Sequence, residues 1–555
     1  MAFCLMALLF SFSCAAAENT TTYRFSDINL EVQVPSELIG FTRSVTSNNA
    51  YLDLIGTDDV EELRSLMVVN HVYLEAVPQD VRYELIISGK EAGSASTDFT
   101  ELSDTDLDSL FNEYLQKSDA IDNESVTENI TASAIEHVNG IPYFVTSVKS
   151  VANNQVTVYM KKYYTVMQGN AISFFIQSNG EEIDSAFVND LTKISLSKEA
   201  IQRHHDMKIV YTPIHGTGVK LIPRALAAFG FTNIIHVPEQ DVVSGDFPTV
   251  VSPNPEEPAA LAMAVEKAKE TDAELVMASD PDADRVGAAV KNNEGEWVLL
   301  NGNQTALMFV YYLITRWKEL GKINGKEYIV KTIVTTETIK TIAERNGVEM
   351  YDVYTGFKWI ANVMRENEGK KNYIGGGEES YGFLCEDFVR DKDAVSACVI
   401  LAEIAAWAKD QGLSLYQLLQ KIYVEYGFSK EKGISVVKKG KSGAEEIEAM
   451  MKKFRENPLT EIAGSKVTYF YDYSTLKGKD YAENETVTLD MPTTSNVLQY
   501  FTEDNTKVSI RPSGTEPKIK FYCEVHSKVK NIDELPEAEK AAEEKINQIK
   551  ASLGI

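Results

Sequence analysis

An apolar run and an acidic turn follow one another near the middle of the chain: Glu274-Leu275-Val276-Met277-Ala278-Ser279-Asp280-Pro281-Asp282-Ala283-Asp284-Arg285. The apolar part predicts a buried strand over residues 275–278. The turn spaces three carboxylates two residues apart, and such hard oxygen ligands suit Mg²⁺. Arg285 adds a guanidinium fork for a phosphate beside that ion. Taken alone, the acidic turn is equally consistent with a solvated loop.

The segments on both sides of this turn alternate between predicted strands and helices. The first cycle has strands over 208–212, 233–237 and 275–278 and helices over 219–229 and 257–270. The second cycle has strands over 328–334, 350–353 and 372–374 and helices over 305–320, 338–346, 359–368 and 394–411. This rhythm is typical of parallel α/β units, in which ligands bind at the carboxyl ends of the strands. The acidic turn therefore lies where a site is expected.

The two ends of the chain have other patterns. Residues 1–198 carry 11 Lys and Arg against 28 Asp and Glu, whereas the remainder carries 43 against 54. Apolar residues alternate over 28–34, two strands are predicted over 156–177, and a surface helix over 102–115, so this part reads as a small α+β domain. Beyond about residue 438 the pattern predicts a further α+β domain that ends in a helix from Pro536.

The net charge of −28 excludes several classes of partner. A nucleic-acid-binding protein needs a basic face, and anionic membranes attract basic segments. No run of 18 consecutive apolar residues is present, so no transmembrane helix is predicted. A phosphate site in so acidic a chain must be a local focus of a few basic residues.

The first residues resemble a secretory signal peptide over 1–17. Residues 2–12 are apolar or small, and Ala15-Ala16-Ala17 precedes Glu18 as a possible cleavage site, although no Lys or Arg comes before the apolar run. A lipid anchor at Cys14 is the alternative. The five cysteines contain no CxxC pair, which favours neither a zinc site nor a disulfide framework. They are Cys4, Cys14, Cys385, Cys398 and Cys523.

Two further loops offer groups that bind ligands. The first is Gly375-Gly376-Gly377-Glu378-Glu379-Ser380-Tyr381-Gly382, where glycines permit close backbone approach and the polar side chains suit sugar hydroxyls. The second is Arg511-Pro512-Ser513-Gly514-Thr515-Glu516-Pro517-Lys518, whose guanidinium, hydroxyls and backbone N–H groups suit a phosphate dianion. Each is also consistent with an ordinary turn between strands, and Lys358 and Lys392 alone would be read as surface charge.

Together, and in this order, these segments resemble those of the α-D-phosphohexomutase superfamily, from residue 199 to the C-terminus. The matching segments are Thr212-Pro213-Ile214-His215-Gly216-Thr217-Gly218, Ser252-Pro253-Asn254-Pro255-Glu256, the acidic turn and the two loops just described. The resemblance implies two Rossmann-like three-layer α/β mutase domains over 199–312 and 313–438. A C-terminal α+β domain over 439–555 follows them, and the small α+β domain over 18–198 precedes them.

The resemblance also implies roles for individual residues. Asp280, Asp282 and Asp284 would bind Mg²⁺ in a metal loop, residues 280–285. Glu378 and Ser380 would hold sugar hydroxyls in a sugar loop, residues 378–382, whose EESY sequence is closer to phosphoglucomutases and phosphopentomutases than to mutases with a GEMSG-type loop. The phosphate that is not transferred would bind to a phosphate loop, residues 511–518, through Arg511, Ser513, Gly514 and Thr515. Arg285, Lys358 and Lys392 would be the catalytic basic residues of the cleft.

One family element is not found in the sequence. The family reaction depends on a phosphoserine in a first-domain loop of the type TASHNP, whose phosphoryl group passes to the sugar. The only similar segment is Thr131-Ala132-Ser133-Ala134-Ile135-Glu136, which lacks the His-Asn-Pro. We interpret Ser133 as a coincidence and the nucleophilic serine as absent, with an unrelated domain standing where the family's first domain would be.

Three functional hypotheses follow. The first is a phosphosugar mutase by descent, which binds a phosphorylated hexose, most of all glucose, or a pentose, but does not turn over. The second is a non-catalytic exported protein that binds phosphosugars, and the third is a gene-model fusion. The family implies a cytoplasmic mutase part, whereas the signal-like segment implies export. Oligomeric state stays open.

Overall fold

The computed structural model describes residues 20–35, 38–45, 50–55, 59–78, 83–93, 97–117, 126–138, 141–152, 156–179, 183–438, 440–513 and 517–555. The predicted signal peptide over 1–17, with Cys4 and Cys14, lies outside these residues. The chain divides into two compact units, of which the first ends at Lys193 and the second begins at Ile194. The unit border thus falls slightly before the boundary predicted at residue 198.

The first unit is rich in antiparallel strands. Its elements are β1 (Thr20–Phe25), β2 (Leu30–Pro35), β3 (Ile39–Thr42), α1 (Ala50–Ile55), α2 (Val60–Val69), β4 (Val72–Val77), β5 (Tyr83–Glu91), α3 (Asp104–Lys117), β6 (Val126–Val138), β7 (Ile141–Ala152), β8 (Val156–Met167), β9 (Asn170–Asn179) and α4 (Ile183–Leu191). Seven strands form one sheet in the order β3-β4-β5-β9-β8-β7-β6, and β1 pairs with β2. The predicted strand pair around Gln168 and the predicted helix are confirmed as β8, β9 and α3.

Strand β2 packs against one apolar face of the seven-stranded sheet. The alternating residues of β2, including Val32 and Val34, are buried and pack on Leu85, Ile87 and Phe174 of the sheet. Because side chains alternate between the two faces of a strand, the polar residues of β2 point away from this core. The alternation predicted over residues 28–34 is therefore confirmed.

The second unit opens with an α/β domain. Its elements are α5 (Lys198–Arg203), β10 (Ile209–Thr212), α6 (Gly218–Phe229), β11 (Ile234–His236), α7 (Pro258–Thr271), β12 (Leu275–Ser279), β13 (Val286–Lys291) and β14 (Trp297–Leu300). The sheet order is β11-β10-β12-β13-β14. The first three strands are parallel, as predicted, whereas β13 and β14 are antiparallel because a direct turn, with no crossover helix, joins β12 to β13.

A second α/β domain follows it. Its elements are α8 (Gly302–Glu319), β15 (Glu327–Thr332), α9 (Thr338–Arg345), β16 (Glu349–Val353), α10 (Phe357–Asn367), β17 (Asn372–Gly377), β18 (Phe383–Cys385), α11 (Ala394–Asp410) and α12 (Leu415–Tyr426). The sheet order is β16-β15-β17-β18, with β18 antiparallel to β17. Helix α11 is buried over most of its length. The boundary predicted at residue 312 falls inside helix α8.

The C-terminal domain is an antiparallel sheet with helices. Its elements are β19 (Phe428–Val437), α13 (Gly440–Glu456), β20 (Glu461–Ile462), β21 (Ser465–Asp472), β22 (Lys477–Asp480), β23 (Glu485–Thr488), β24 (Leu498–Thr502), β25 (Lys507–Pro512), β26 (Lys518–Ser527) and α14 (Leu535–Leu553). The sheet order is β19-β26-β25-β24-β21-β22-β23. Hence the fold is α/β with two mutase-type domains and a C-terminal α+β domain, preceded by a small sheet-rich unit.

Over the described residues, no helix combines the length and the apolar character needed to cross a bilayer. Helix α8 has 18 residues, yet it carries Arg316, Lys318 and Glu319 in its last turn. Its apolar residues are buried against the rest of the domain.

Candidate functional site

The metal loop leaves β12 as a tight turn built around Asp280. One carboxylate oxygen of Asp280 accepts hydrogen bonds from the backbone N–H groups of Asp284 at 3.0 Å and Arg285 at 2.9 Å. Ala283 adopts a left-handed φ of 56°, a conformation that is uncommon for residues other than glycine. Asp280 and Asp284 are buried at 6% and 5% exposure, whereas Asp282 is exposed.

The three carboxylates of this loop converge. One oxygen from each of Asp280, Asp282 and Asp284 lies within 4.8 Å of the others. Burial, followed by the charges of Asp284 and Asp282, raises the pKa of Asp280 to about 8. Oδ1 of Asp284 is buried and accepts no hydrogen bond. An all-oxygen ligand set with repelling charges and an unused buried oxygen fits a divalent cation such as Mg²⁺.

Positive charge lies directly beside these carboxylates. The Nε atom of Arg285 lies 3.4 Å from Asp280 and 3.5 Å from Asp284, and its Nη1 lies 3.8 Å from Glu256. The Lys392 ammonium donates to Oδ2 of Asp284. Arg285 is about one third exposed, so part of its guanidinium faces solvent. The site therefore combines carboxylates for a cation with basic groups for an anion.

Backbone contacts join this loop to the sugar loop and to the segment that carries Lys392. The N–H of Val286 donates to the carbonyl of Tyr381 at 3.1 Å, and the N–H of Ala394 donates to the carbonyl of Ala283 at 3.0 Å. Gly382 permits this packing, because a Cβ atom there would lie 2.6 Å from Cδ of Lys392. The metal loop, the sugar loop and Lys392 thus form one packed cluster.

The two adjacent glutamates of the sugar loop face different neighbours. Glu378 is buried, and its Oε1 accepts a hydrogen bond from the N–H of Gly356 at 2.7 Å. Glu379 is half-buried, and its Oε2 accepts a hydrogen bond from the Thr332 hydroxyl at 3.1 Å. Burial raises the pKa of both carboxyls, that of Glu379 to about 7. Ser380 is half-buried beside them.

Lys358 lies on the first turn of α10, close in sequence to Gly356. Its ammonium is exposed and lies 5.0 Å from the centroid of the Trp359 ring. Because Gly356 donates to Glu378, the turn that carries Lys358 contacts the sugar loop. The position of the Lys358 ammonium is compatible with a bound anion, but it contacts none of the carboxylates described above.

The phosphate loop follows β25. Arg511 is half-buried opposite Lys520 of β26, and the N–H of half-buried Ser513 donates to the carbonyl of Lys518 at 2.8 Å. Gly514 and Thr515 lie outside the described residues. Burial and the Glu379 charge raise the pKa of Tyr522, whereas the charge of Arg511 and its hydrogen bond to the phenol lower it. Glu379 of the sugar loop and Arg511 thus both act on the pKa of the Tyr522 phenol.

Two supporting contacts were not predicted from the sequence. Gly216 allows the metal loop to pack closely, because a Cβ atom there would lie 2.4 Å from Cα of Pro281, and the N–H of Thr217 donates to the Pro281 carbonyl at 2.9 Å. Gly302 at the start of α8 lies equally close to the sugar loop, since its Cβ would lie 2.0 Å from the Glu379 carbonyl oxygen. In the sequence, only the glycine at each position, Gly216 or Gly302, hinted at these contacts.

The predicted site residues that the structure describes within 194–555 thus lie on four loops and one helix turn. Ser133 belongs to the other unit, where it lies within β6, exposed and opposite Thr146 of β7. Strand β6 is at the edge of its sheet. A continuous strand differs from the loop that the family's phosphoserine requires.

Comparisons with known proteins agree with this arrangement. Models of the phosphoglucomutase/phosphomannomutase family match the chain in three consecutive parts: alpha/beta/alpha domain II over residues 185–295, alpha/beta/alpha domain III over 301–426, and the C-terminal domain over 436–542. Together these matches cover more than half of the chain. All predicted residues of the metal, sugar and phosphate loops lie within them.

Two phosphoglucomutases illustrate the similarity. That of Staphylococcus haemolyticus is 34% identical over 346 residues, which are 62% of this chain and 61% of the relative. That of Staphylococcus aureus strain USA300 is 37% identical over 330 residues, 60% of this chain and 58% of the relative. The chain spans about three fifths of the length of these relatives.

A crystal structure of a phosphoglucomutase/phosphomannomutase family protein from Burkholderia thailandensis superposes with a TM-score of 0.46 at 16% identity. The superposition covers 76% of this chain and 80% of that one. Through the consecutive family matches and the phosphoglucomutase relatives, the chain belongs to the α-D-phosphohexomutase superfamily.

Proposed function

We propose that the second unit binds a phosphosugar as a mutase does, with a hexose 1-phosphate or 6-phosphate as ligand and glucose as the first candidate. The observation that carries this proposal is the packed cluster of the metal loop, Lys392 and the sugar loop. It places an oxygen-rich cation site beside basic groups and beside a loop suited to sugar hydroxyls. The phosphoglucomutase relatives support the choice of glucose.

Asp280, Asp282 and Asp284 would hold the Mg²⁺ ion in this proposal. When bound, the ion offsets negative charge on a transferring phosphoryl group. Arg285 contributes a donor fork on the same side, since its guanidinium already lies at ion-pair distance from Asp280 and Asp284. Two adjacent positive groups, Arg285 and Lys392, would orient the phosphate that is to be transferred.

The remaining roles are divided between the sugar and phosphate loops. Glu378 and Ser380 would bind sugar hydroxyls, because a carboxylate accepts and a hydroxyl both donates and accepts. Arg511 and Ser513, with Gly514 and Thr515, would bind the phosphate group of the sugar phosphate. Lys358 would add positive charge at the rim of the cleft.

Turnover is a separate question, because the family reaction needs a phosphoserine. In that reaction the serine phosphoryl group passes to the free sugar hydroxyl, and the phosphoryl group at the other position returns to the serine oxygen. Ser133, the one similar serine of the sequence, lies within strand β6. We infer that the chain binds a phosphosugar with Mg²⁺ but does not interconvert the two isomers.

A second candidate is favoured by the division of the chain. The sheet-rich first unit and the mutase-type second unit are separately compact, which is consistent with an exported phosphosugar-binding protein or with a gene-model fusion. Sequencing the genomic DNA around codons 190 to 205 distinguishes a chain that is encoded in one reading frame from a gene-model fusion. A continuous reading frame supports a true fusion, and an interrupted one identifies an artefact.

Titration calorimetry with glucose 1-phosphate tests the binding proposal. We expect Mg²⁺-dependent binding that is lost in Asp282→Asn. Absence of binding in the presence of Mg²⁺ would contradict the proposed function.

A further inference from the structure

Segment 332–337, the turn between β15 and α9, lies between the sugar loop and the C-terminal domain. Three of its threonines, Thr332, Thr335 and Thr336, are buried at 1% exposure or less. The Thr332 and Thr335 hydroxyls lie 2.8 Å apart, and Thr332 donates to Oε2 of Glu379 at 3.1 Å. The sugar loop is therefore joined to this segment through the Glu379 side chain.

The C-terminal domain contacts the same segment from strand β25. The ammonium of Lys507 donates to the Thr335 carbonyl at 2.8 Å and to Oε1 of Glu337 at 2.6 Å. Strand β25 leads directly into the phosphate loop at Arg511. Lys507 is 1% exposed, so the contact is shielded from water.

Strands β24 and β26 complete the contact. Oε1 of Glu524 accepts hydrogen bonds from the Thr336 hydroxyl at 2.8 Å and from the Glu337 N–H at 2.7 Å. The side-chain amide of Gln499 donates to the Ile333 carbonyl at 2.7 Å. Four of the six residues of the segment are thus bound by three strands of the C-terminal domain.

One of these contacts, Lys507 with Glu337, is an ion pair. Although burial alone raises the pKa of Glu337, Lys331 and Lys507 lower it to about 2. Lys331 reaches Glu337 at 2.9 Å and Asp352 at 2.6 Å. Since each charge has a partner, separating the segment from the C-terminal domain would expose unpaired buried charges at high cost.

We propose that Glu379 is a positioning residue: through Thr332 it fixes the sugar loop to segment 332–337, and so sets the spacing between the sugar loop and Arg511 at the start of the phosphate loop. This inference rests on the proposed function. A sugar phosphate must contact both loops at once, whereas inorganic phosphate needs only one. The fixed spacing therefore selects ligands by the length between their hydroxyls and their phosphate.

The test separates the acceptor role of Glu379 from its bulk. In the full chain, Glu379→Met keeps the size but removes the acceptor, Glu379→Gln keeps an acceptor oxygen, and Thr332→Val removes the nearer donor, since the Thr335 hydroxyl donates to the same oxygen at 3.5 Å. We expect Glu379→Met and Thr332→Val each to weaken binding of glucose 1-phosphate by about tenfold, and their combination to weaken it no further. Glu379→Gln should stay within about threefold of wild type.

Two controls identify a merely structural effect. Inorganic phosphate affinity should stay unchanged in all these variants. Tyr312→Phe removes a different buried hydroxyl that donates to a carboxylate, Glu403, and should leave both affinities unchanged. Equal losses for glucose 1-phosphate and inorganic phosphate, no loss in Glu379→Met, or additive losses in the double variant would overturn the proposal.

A measurement without ligand keeps this inference separate from the proposed function. We expect backbone hydrogen exchange over residues 332–337 and 378–382 to be about tenfold faster in Glu379→Met and Thr332→Val, but not in Tyr312→Phe. Wild-type protein that fails to bind glucose 1-phosphate would refute the proposed function alone. Unchanged exchange in both variants would refute the positioning role, whatever the ligand.

Discussion

Lys392 places its ammonium on the Asp284 carboxylate, joining two loops that are 108 positions apart in the sequence. The contacted oxygen belongs to the cluster that we propose as the Mg²⁺ site. Oδ1 of Asp284 accepts no hydrogen bond, so a cation bound through it would lie beside this ammonium, and the two positive charges would repel one another.

Removing the Lys392 ammonium should therefore strengthen metal binding. We expect Lys392→Met to bind Mg²⁺ about tenfold more tightly in titration calorimetry, because one like-charge repulsion and one competitor disappear. Lys358→Met is the matched control, since the exposed Lys358 ammonium contacts none of the three aspartates. Weaker Mg²⁺ binding in Lys392→Met would show that the ammonium does not compete with the metal.

Asp282, the exposed aspartate of the metal loop, should contribute to Mg²⁺ affinity and not to the stability of the fold. Asp282→Asn is expected to weaken Mg²⁺ binding at least tenfold while the midpoint of thermal unfolding shifts by under about 2 °C, because no fold-stabilising contact is lost at an exposed side chain. Asp280→Ala should lower that midpoint further, since it removes the oxygen that accepts two backbone hydrogen bonds. Equal unfolding midpoints for the two variants would contradict the additional structural role of Asp280.

Metal affinity should depend on pH through Asp280. A ligand carboxylate must be deprotonated to bind Mg²⁺, and the pKa of Asp280 is raised to about 8. Mg²⁺ affinity should therefore rise between pH 6.5 and about 8.5, with proton release seen as a buffer-dependent enthalpy. Asp280→Asn should abolish the proton release.

The same shift predicts the direction of the stability change with pH. A carboxyl with a raised folded-state pKa favours the folded state when protonated, and this contribution is lost as pH rises from the unfolded value toward about 8. We expect the metal-free protein to unfold at lower urea concentration at pH 8 than at pH 6. A shift in the opposite direction would indicate that Asp280 is ionised in the folded protein at pH 6.

Turnover should be absent, and the serine of β6 should not matter. A coupled assay for glucose 6-phosphate is expected to give no steady conversion of glucose 1-phosphate, because Ser133 lies in a strand of the other unit. Conversion that is lost in Asp282→Asn but kept in Ser133→Ala would show that another group carries the phosphoryl transfer. Loss in Ser133→Ala itself would assign that role to Ser133.

The buried lysine of β25 should be important for stability. Lys507→Met leaves Glu337 and Glu524 without their shared cation, and we expect the free energy of unfolding to fall by about 3–5 kcal/mol in urea titrations. Lys430→Met is the control: Lys430 pairs with Glu539 near the surface, and its loss should cost under about 1 kcal/mol. If Lys507→Met also lowered the free energy of unfolding by under about 1 kcal/mol, the residues around Glu337 and Glu524 would have rearranged to compensate for the missing cation.

The repeated strand and helix pattern predicted most of the second unit. The helix predicted over 219–229 is α6, and the strand predicted over 275–278 is β12, because long periodic segments reflect which face is buried. The antiparallel strands β13 and β14 were not predicted. They follow the metal loop without a helix, and local periodicity gives no strand direction.

The site was predicted less completely than the fold. Loop motifs pointed to Asp280, Asp282 and Asp284, which do converge. Nothing local indicates that Lys392 contacts Asp284, or that Glu378 and Glu379 face different neighbours. Such contacts depend on how separate loops pack, and they are set by tertiary structure rather than by spacing along the chain.

The two lysines that share Glu337 also constrain how this sequence can change. Replacing either lysine alone leaves half-buried Glu337 with one cationic partner instead of two, whereas replacing a lysine together with a carboxylate by apolar residues of similar volume can be neutral or stabilising. Divergence at this contact should therefore proceed by paired substitutions. A mutational library that varies Lys331, Glu337 and Lys507 together should yield folded proteins that no single-site library contains.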